Sequence, residues 1–107
     1  MNSIVKVLQP YGILNRSSSN ELRREVQDIM TDKTDIVLLD LSNVSFIDSS
    51  GLGALISVMK VVRSGNAKFY ICSMNDQVRM LFELTKMDRI FEHFTDREEF
   101  TRQVLTT

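Results

Sequence analysis

A chain of 107 residues has room for one ordinary domain but not for two with separate cores. Its apolar share of 43 % and charged share of 25 % are those of a folded globular protein, which excludes the disordered and fibrous classes. Its 13 basic and 14 acidic residues leave a formal charge of -1, too little positive charge for a protein that binds by neutralising many phosphates, so no nucleic-acid partner is expected. Cys72, the one cysteine, cannot form an internal disulfide. With His93 as the one histidine there is no soft-metal ligand set, and no cofactor is expected. Residues 1–15 lack the pattern of a signal peptide, and no stretch approaches the roughly 18 apolar residues of a membrane span, so a cytoplasmic location without membrane attachment is expected.

In chain order, Ile4, Val5, Val7 and Leu8 around Lys6 predict a strand. Pro10-Tyr11-Gly12 predicts a turn, and Ile13-Leu14 a short second strand. Ser18 has Glu21 three residues on, the capping-box spacing, which predicts a helix opening among Ser17, Ser18 and Ser19. Leu22, Val26, Ile29 and Met30 then form one apolar stripe. Asp32-Lys33-Thr34-Asp35 reads as a polar connection. The run Ile36 to Leu41 is nearly continuous in apolar character, the pattern of a strand buried on both faces of a parallel sheet, and Ala67 to Cys72 repeats it. Asn75-Asp76-Gln77 starts a helix with Val78, Leu81 and Phe82 inward. Phe91 to Phe94 reads as a short alternating strand, and Thr95 with Glu98 as a second capping box opening a terminal helix with Phe100 and Val104 inward. The order β-β-α-β-α-β-α-β-α predicts an α/β fold in a single domain over residues 1–107, with a mixed, mostly parallel sheet of four to five strands and about four helices.

Between the strand at 36–41 and the next helix, Ser45-Phe46-Ile47-Asp48-Ser49-Ser50-Gly51-Leu52-Gly53 reads as a connection, the favoured functional position in an open α/β sheet. Asp48, Ser49 and Ser50 are good capping residues, and Gly51 and Gly53 remove side chains where the backbone enters the helix. A well-capped helix start accounts for the string by itself. A hydroxyl at a helix N-terminus, however, also sits where the dipole favours negative charge, so a phosphate on Ser49 or Ser50 is compatible with the fold. It would add about -1.5 to -2 charge, enough to spoil an interface. On the following helix, Leu52, Leu55, Ile56, Met59 and Val62 share one side while Ala54, Val58 and Val61 share the other. Either a neighbouring helix covers the second set, or it is a face for docking a partner.

Enzymatic motifs are missing: there is no phosphate-binding Gly-x-x-x-x-Gly-Lys loop and no Gly-x-Ser-x-Gly elbow. His93, beside Phe91 and Phe94, reads as structural. Asp40 imitates a phosphoacceptor at a strand end, but Pro10-Tyr11-Gly12 stands where such a domain needs acidic residues, so Asp40 reads as a buried polar group.

The stretch Asp40-Leu41-Ser42-Asn43-Val44-Ser45-Phe46-Ile47-Asp48-Ser49-Ser50-Gly51-Leu52-Gly53-Ala54-Leu55 resembles the signature of the STAS domain family, in particular its bacterial anti-sigma factor antagonists. The likeness extends weakly to the first strand, the first helix and Met74 to Phe82. The resemblance implies partner switching by a protein with no catalytic residues of its own. The second serine of the motif, Ser50 here, would be phosphorylated by an anti-sigma factor that is also a serine kinase of the histidine-kinase-like ATPase type. Ser49 is the second choice. A PP2C-type phosphatase would reverse the reaction, and the unphosphorylated form alone would bind the kinase and release its target. Asp48, Ser49, Gly51 and Gly53 would support the loop. Asn15 stands where many members carry aspartate, which leaves a polar group without its charge. A monomer or weak dimer is expected. The alternative is a STAS scaffold or regulatory domain, in a stress-signalling assembly or in nucleotide or transporter-associated binding.

Overall fold

The computed structural model describes residues 3–31 and 33–106; Asp32, part of the polar connection expected after the first helix, lies outside the described residues, as do residues 1, 2 and 107. The chain runs β1 (Val5–Leu8), β2 (Tyr11–Leu14), α1 (Arg16–Ile29), β3 (Ile36–Asp40), β4 (Asn43–Ile47), α2 (Ser49–Ser64), β5 (Lys68–Cys72), α3 (Asp76–Leu84), β6 (Glu92–Phe94) and α4 (Arg97–Phe100). A π-helical turn, Thr101–Leu105, continues α4. The α/β reading holds, with one strand more than expected.

All five residues of β3 are buried, which places this strand in the middle of a sheet ordered β1-β3-β5-β6. Every neighbouring pair in that sheet is parallel. Side chains alternate across a strand, so the continuous apolar run divides between two faces. Val37 and Leu39 join Ile71 under α1, α2 and α3, whereas Ile36 and Leu38 join Tyr70, Cys72 and Phe100 on the α4 side. Burial pushes the Cys72 thiol up from its ordinary value.

The added strand, β4, pairs in parallel with β2 as a separate two-stranded ribbon. Its sequence reads as a connection because its apolar character is broken: Val44 and Ile47 are buried while Ser45 and Phe46 are exposed. The ribbon's register shifts between Gly12 and Ile13, and Gly12 has φ +80°, a conformation that glycine adopts without the steric cost of a side chain.

Two helix starts differ from expectation by a few residues. Helix α1 opens at Asn15, not among the serines: the Asn15 side chain accepts from the Ser18 amide at 3.2 Å, and the Ser18 hydroxyl accepts from the Asn15 amide at 3.0 Å. Ser18 is thus the third helical residue of the box and not its cap, so Glu21 has no part in it. Near the C-terminus the cap is Asp96, which accepts from the Glu99 amide, while the Glu99 carboxylate accepts from the Thr95 amide. The pattern is the expected one displaced by one residue.

The second apolar side of α2 is not a free face. Helix α1 packs against α2, and Ala54 and Val58 are 1 % and 0 % exposed. Val61 is half-buried against the same core, beside Gln27 and Met30 at the end of α1. Of the two readings left open by the helical pattern, the covering helix is the one realised, and the docking face at Ala54, Val58 and Val61 is corrected accordingly.

Candidate functional site

The site is built where β4 gives way to α2. Asp48 is the N-cap: its Oδ1 accepts from the Gly51 amide at 2.8 Å, so its carboxylate holds the loop instead of facing solvent unpartnered. The Asp48 amide donates to the Leu14 carbonyl at 3.2 Å, tying this loop to the end of β2. Asn15, next along, caps α1. The two helix starts therefore share one backbone junction, and Asn15 contributes a cap to it, a task that needs no carboxylate.

Gly51 is the closest point of that junction. A Cβ placed on it would lie 2.1 Å from the Leu14 carbonyl oxygen and 2.9 Å from Ile47 Cγ1. Only glycine fits there. Gly53 is different, for a Cβ on it would meet nothing within 4 Å, so of the two glycines expected to remove side chains at the helix entry, Gly51 alone needs to.

Ser49 and Ser50 are both exposed and occupy the first turn of α2. Their amides belong to the first turn, which has no intrahelical acceptor, and the helix dipole adds positive potential at the same end. The hydroxyls are thus accessible, and the field around them suits an anion.

Two residues that sequence reasoning used only as a helix start fix the strand leading into this loop. Gln77 of α3 donates from Nε2 to the Ile47 carbonyl and accepts at Oε1 from the Ile47 amide, both at 2.9 Å. Asn75 donates from Nδ2 to the carbonyls of Val44 and Ser45 while capping α3. Their amide chemistry was visible in the sequence. Their partners, thirty residues away, were not.

Beside the loop, the outer face of the β2–β4 ribbon carries Tyr11, Ile13 and Phe46, which are 80 %, 52 % and 46 % exposed; Ile13 and Phe46 are register partners. Three large apolar side chains on one small ribbon are the feature the sequence missed, because Tyr11 reads as part of a turn, Ile13 as part of a separate short strand and Phe46 as part of a connection.

Asp40 lies at the carboxyl end of β3, almost wholly buried, with Oδ1 accepting from the Ser42 amide at 2.9 Å and Oδ2 from Arg97 Nε at 2.6 Å. Burial pushes its carboxyl up, but the Ser42 amide and the Arg97 guanidinium outweigh that and hold it below the ordinary value. Both oxygens are engaged, as suits a structural strand-end carboxylate.

Known proteins agree with this architecture. The STAS domain family matches residues 2–100. An anti-sigma-B factor antagonist of Staphylococcus aureus is 32 % identical over 74 residues, which are 69 % of this chain and 68 % of that protein. A crystal structure of a candidate anti-sigma factor antagonist from Thermotoga maritima superposes with a TM-score of 0.82 at 28 % identity, covering 95 % of this chain and 88 % of that one. The anti-sigma factor antagonist SpoIIAA in its unphosphorylated form shares the fold, with a TM-score of 0.77 at 17 % identity over 99 % of this chain and 93 % of its own. With its parallel sheet, its ribbon and its Asp-Ser-Ser-Gly helix start in place, the chain belongs to the STAS domain family, among the anti-sigma factor antagonists.

Proposed function

We propose that the protein is an anti-sigma factor antagonist that works by partner switching, with Ser50 as the switched residue. The carrying observation is the exposed Ser50 hydroxyl in the first turn of α2, on a loop fixed by Asp48, Gly51 and Gln77. In this reading the unphosphorylated protein binds an anti-sigma factor that is also a serine kinase of the histidine-kinase-like ATPase type. Its docking face is the apolar surface of Tyr11, Ile13 and Phe46, since Ala54 and Val58 are core.

The protein's own chemistry is then limited to being a substrate. Ser50 Oγ attacks the γ-phosphorus of ATP held by the kinase; the new O–P bond forms as the bond to the β,γ-bridging oxygen breaks. ADP leaves with that electron pair, and the hydroxyl proton passes to a base on the kinase. Asp48 orients the loop through its bond to the Gly51 amide, and Ser49 precedes the acceptor on the same turn. A phosphate takes the formal charge from -1 to about -3 beside an apolar docking face, where repulsion and phosphate desolvation release the partner. A PP2C-type phosphatase hydrolyses the ester and resets the switch. The related fold of SpoIIAA has been solved in a phosphorylated form, which supports the compatibility of STAS architecture with the modification. Among the described residues no helix is long and apolar enough to cross a membrane; action in the cytoplasm is part of the proposal.

The test is binding of the kinase to Ser50→Ala and Ser50→Asp, each checked for an unchanged circular-dichroism spectrum. Ser50→Ala should bind as the parent does and Ser50→Asp markedly less well. Equal binding by the two variants contradicts the switch.

A further inference from the structure

We propose that Arg16 and Arg23 of α1, with Asn20 between them, form a cradle for a phosphoryl group on Ser50. The proposal rests on the reading of Ser50 as the modified residue. Beside the junction of the two helix starts, a surface depression of about 470 Å³ is lined by Arg16, Ser19, Asn20 and Arg23 from α1 and by Ser50 from α2. Arg16, Asn20 and Arg23 are spaced four and three residues apart, which stacks them along one face of α1. Ser50 stands opposite.

The charge balance of this depression is one-sided. Among the described residues no carboxylate lines it: Glu21 and Glu25 of α1 line a different depression, beside Tyr11 and Pro10. Arg16 makes no ion pair among the described residues, and Arg23 donates from Nη1 only to the neutral Asn20 Oδ1, at 3.2 Å. Asp48, the acid two residues before Ser50, already accepts from the Gly51 amide. Ser19, almost fully buried, spends its hydroxyl on the Asn15 carbonyl at 2.6 Å and so serves as floor. Two guanidiniums with neutral surroundings next to one acceptor hydroxyl suit phosphate, because the planar fork of arginine matches two phosphate oxygens at once. The first-turn amides of α2 add positive potential from the other side. The cradle would hold the phosphate as a dianion and fix it against α1.

The test uses the full-length chain with phosphoserine installed at position 50 during translation, so that it needs no kinase, and follows the phosphorus NMR shift against pH. Free phosphoserine has a second pKa of about 6, and the cradle should lower it by roughly half a unit or more. The Arg16→Gln/Arg23→Gln double variant should return it most of the way, and Arg16→Lys/Arg23→Lys should fall between. A wild-type value at or above that of free phosphoserine overturns the cradle without reference to any variant. A lowered value that persists in the double glutamine variant assigns the effect to the α2 N-terminus alone and overturns it too. Absence of phosphate on Ser50 after treatment with the kinase would instead remove the functional reading and leave this titration to decide the cradle separately.

Discussion

Replacing Gly51 by alanine tests whether the junction between the two helix starts is as tight as its geometry indicates. In a helix interior alanine is favoured over glycine by about 0.8–1.0 kcal/mol, so propensity alone makes Gly51→Ala stabilising. The new Cβ, however, would lie 2.1 Å from the Leu14 carbonyl oxygen and 2.7 Å from its carbon, and ordinary contact begins at 3.4 Å. The two backbones must separate by more than an ångström, and no flexible side-chain tip is available to yield. That separation strains the Asp48 amide bond to the Leu14 carbonyl, worth about 1 kcal/mol, on top of about 1–3 kcal/mol for overpacking. After the propensity gain a net loss of about 1–3 kcal/mol remains, a fall in melting temperature of roughly 5–20 °C for a domain of this size. Gly53→Ala is the matched control. Its Cβ meets nothing within 4 Å, so only the propensity gain applies, and stability should rise by up to ~1 kcal/mol. Thermal unfolding of both variants beside the parent reads the difference. Equal shifts, or a Gly51→Ala variant as stable as the parent, would refute the close-approach reasoning.

Three further outcomes follow from particular contacts. Val58→Asp should unfold the domain by circular dichroism, because Val58 is fully buried under α1 and an unpaired carboxylate there has no partner; a folded variant that merely lost its partner would restore the docking face. Asn15→Ala should cost about 1 kcal/mol in denaturant unfolding, whereas Asn15→Asp keeps the acceptor for the Ser18 amide and should match the parent or exceed it slightly. Arg97→Ala should cost about 1–3 kcal/mol at pH 7, since it strips a charged donor from the buried Asp40 carboxylate. The folded protein holds the Asp40 pKa below its unfolded value of about 3.9, so the carboxylate's contribution is full above that pH and is lost as pH falls through the lower folded value. The gap between parent and Arg97→Ala should therefore shrink in urea titrations run progressively below pH 4. A gap independent of pH would remove Asp40 as its source.

The sequence made legible those features that depend on neighbours in the chain. The nearly continuous apolar run of β3, the Asp48 and Asn75 caps, and the inward Phe82 and Phe100 all follow from local pattern, and all are found as read. Features set by distant partners were less legible. Strand β4 exists because β2 offers it a parallel edge; its own residues, with only Val44 and Ile47 buried, carry half the signal of a core strand. A helical wheel shows that α2 has two apolar sides but not that α1 lies across the second, so Val58 could not be told from a docking residue. Asn15 and Ser18 are both strong cap residues three apart, and the choice between them was made by the Ile13 carbonyl, which accepts from the Ser18 hydroxyl at 2.8 Å. At the site itself, Asp48, Ser49, Ser50 and Gly51 were readable as a string. The Gln77 clamp and the exposed Tyr11, Ile13 and Phe46 became visible only once the ribbon was in place.

In the proposed mechanism one hydroxyl carries the switch. The decisive experiment incubates the protein with the proposed anti-sigma kinase and ATP, maps the modification by mass spectrometry, and measures kinase binding before and after. One phosphate on Ser50, with binding lost as it accumulates and regained on phosphatase treatment, is the expected result. No phosphate, phosphate confined to Asp40 or another residue, or binding unchanged by a phosphate on Ser50 would contradict the account.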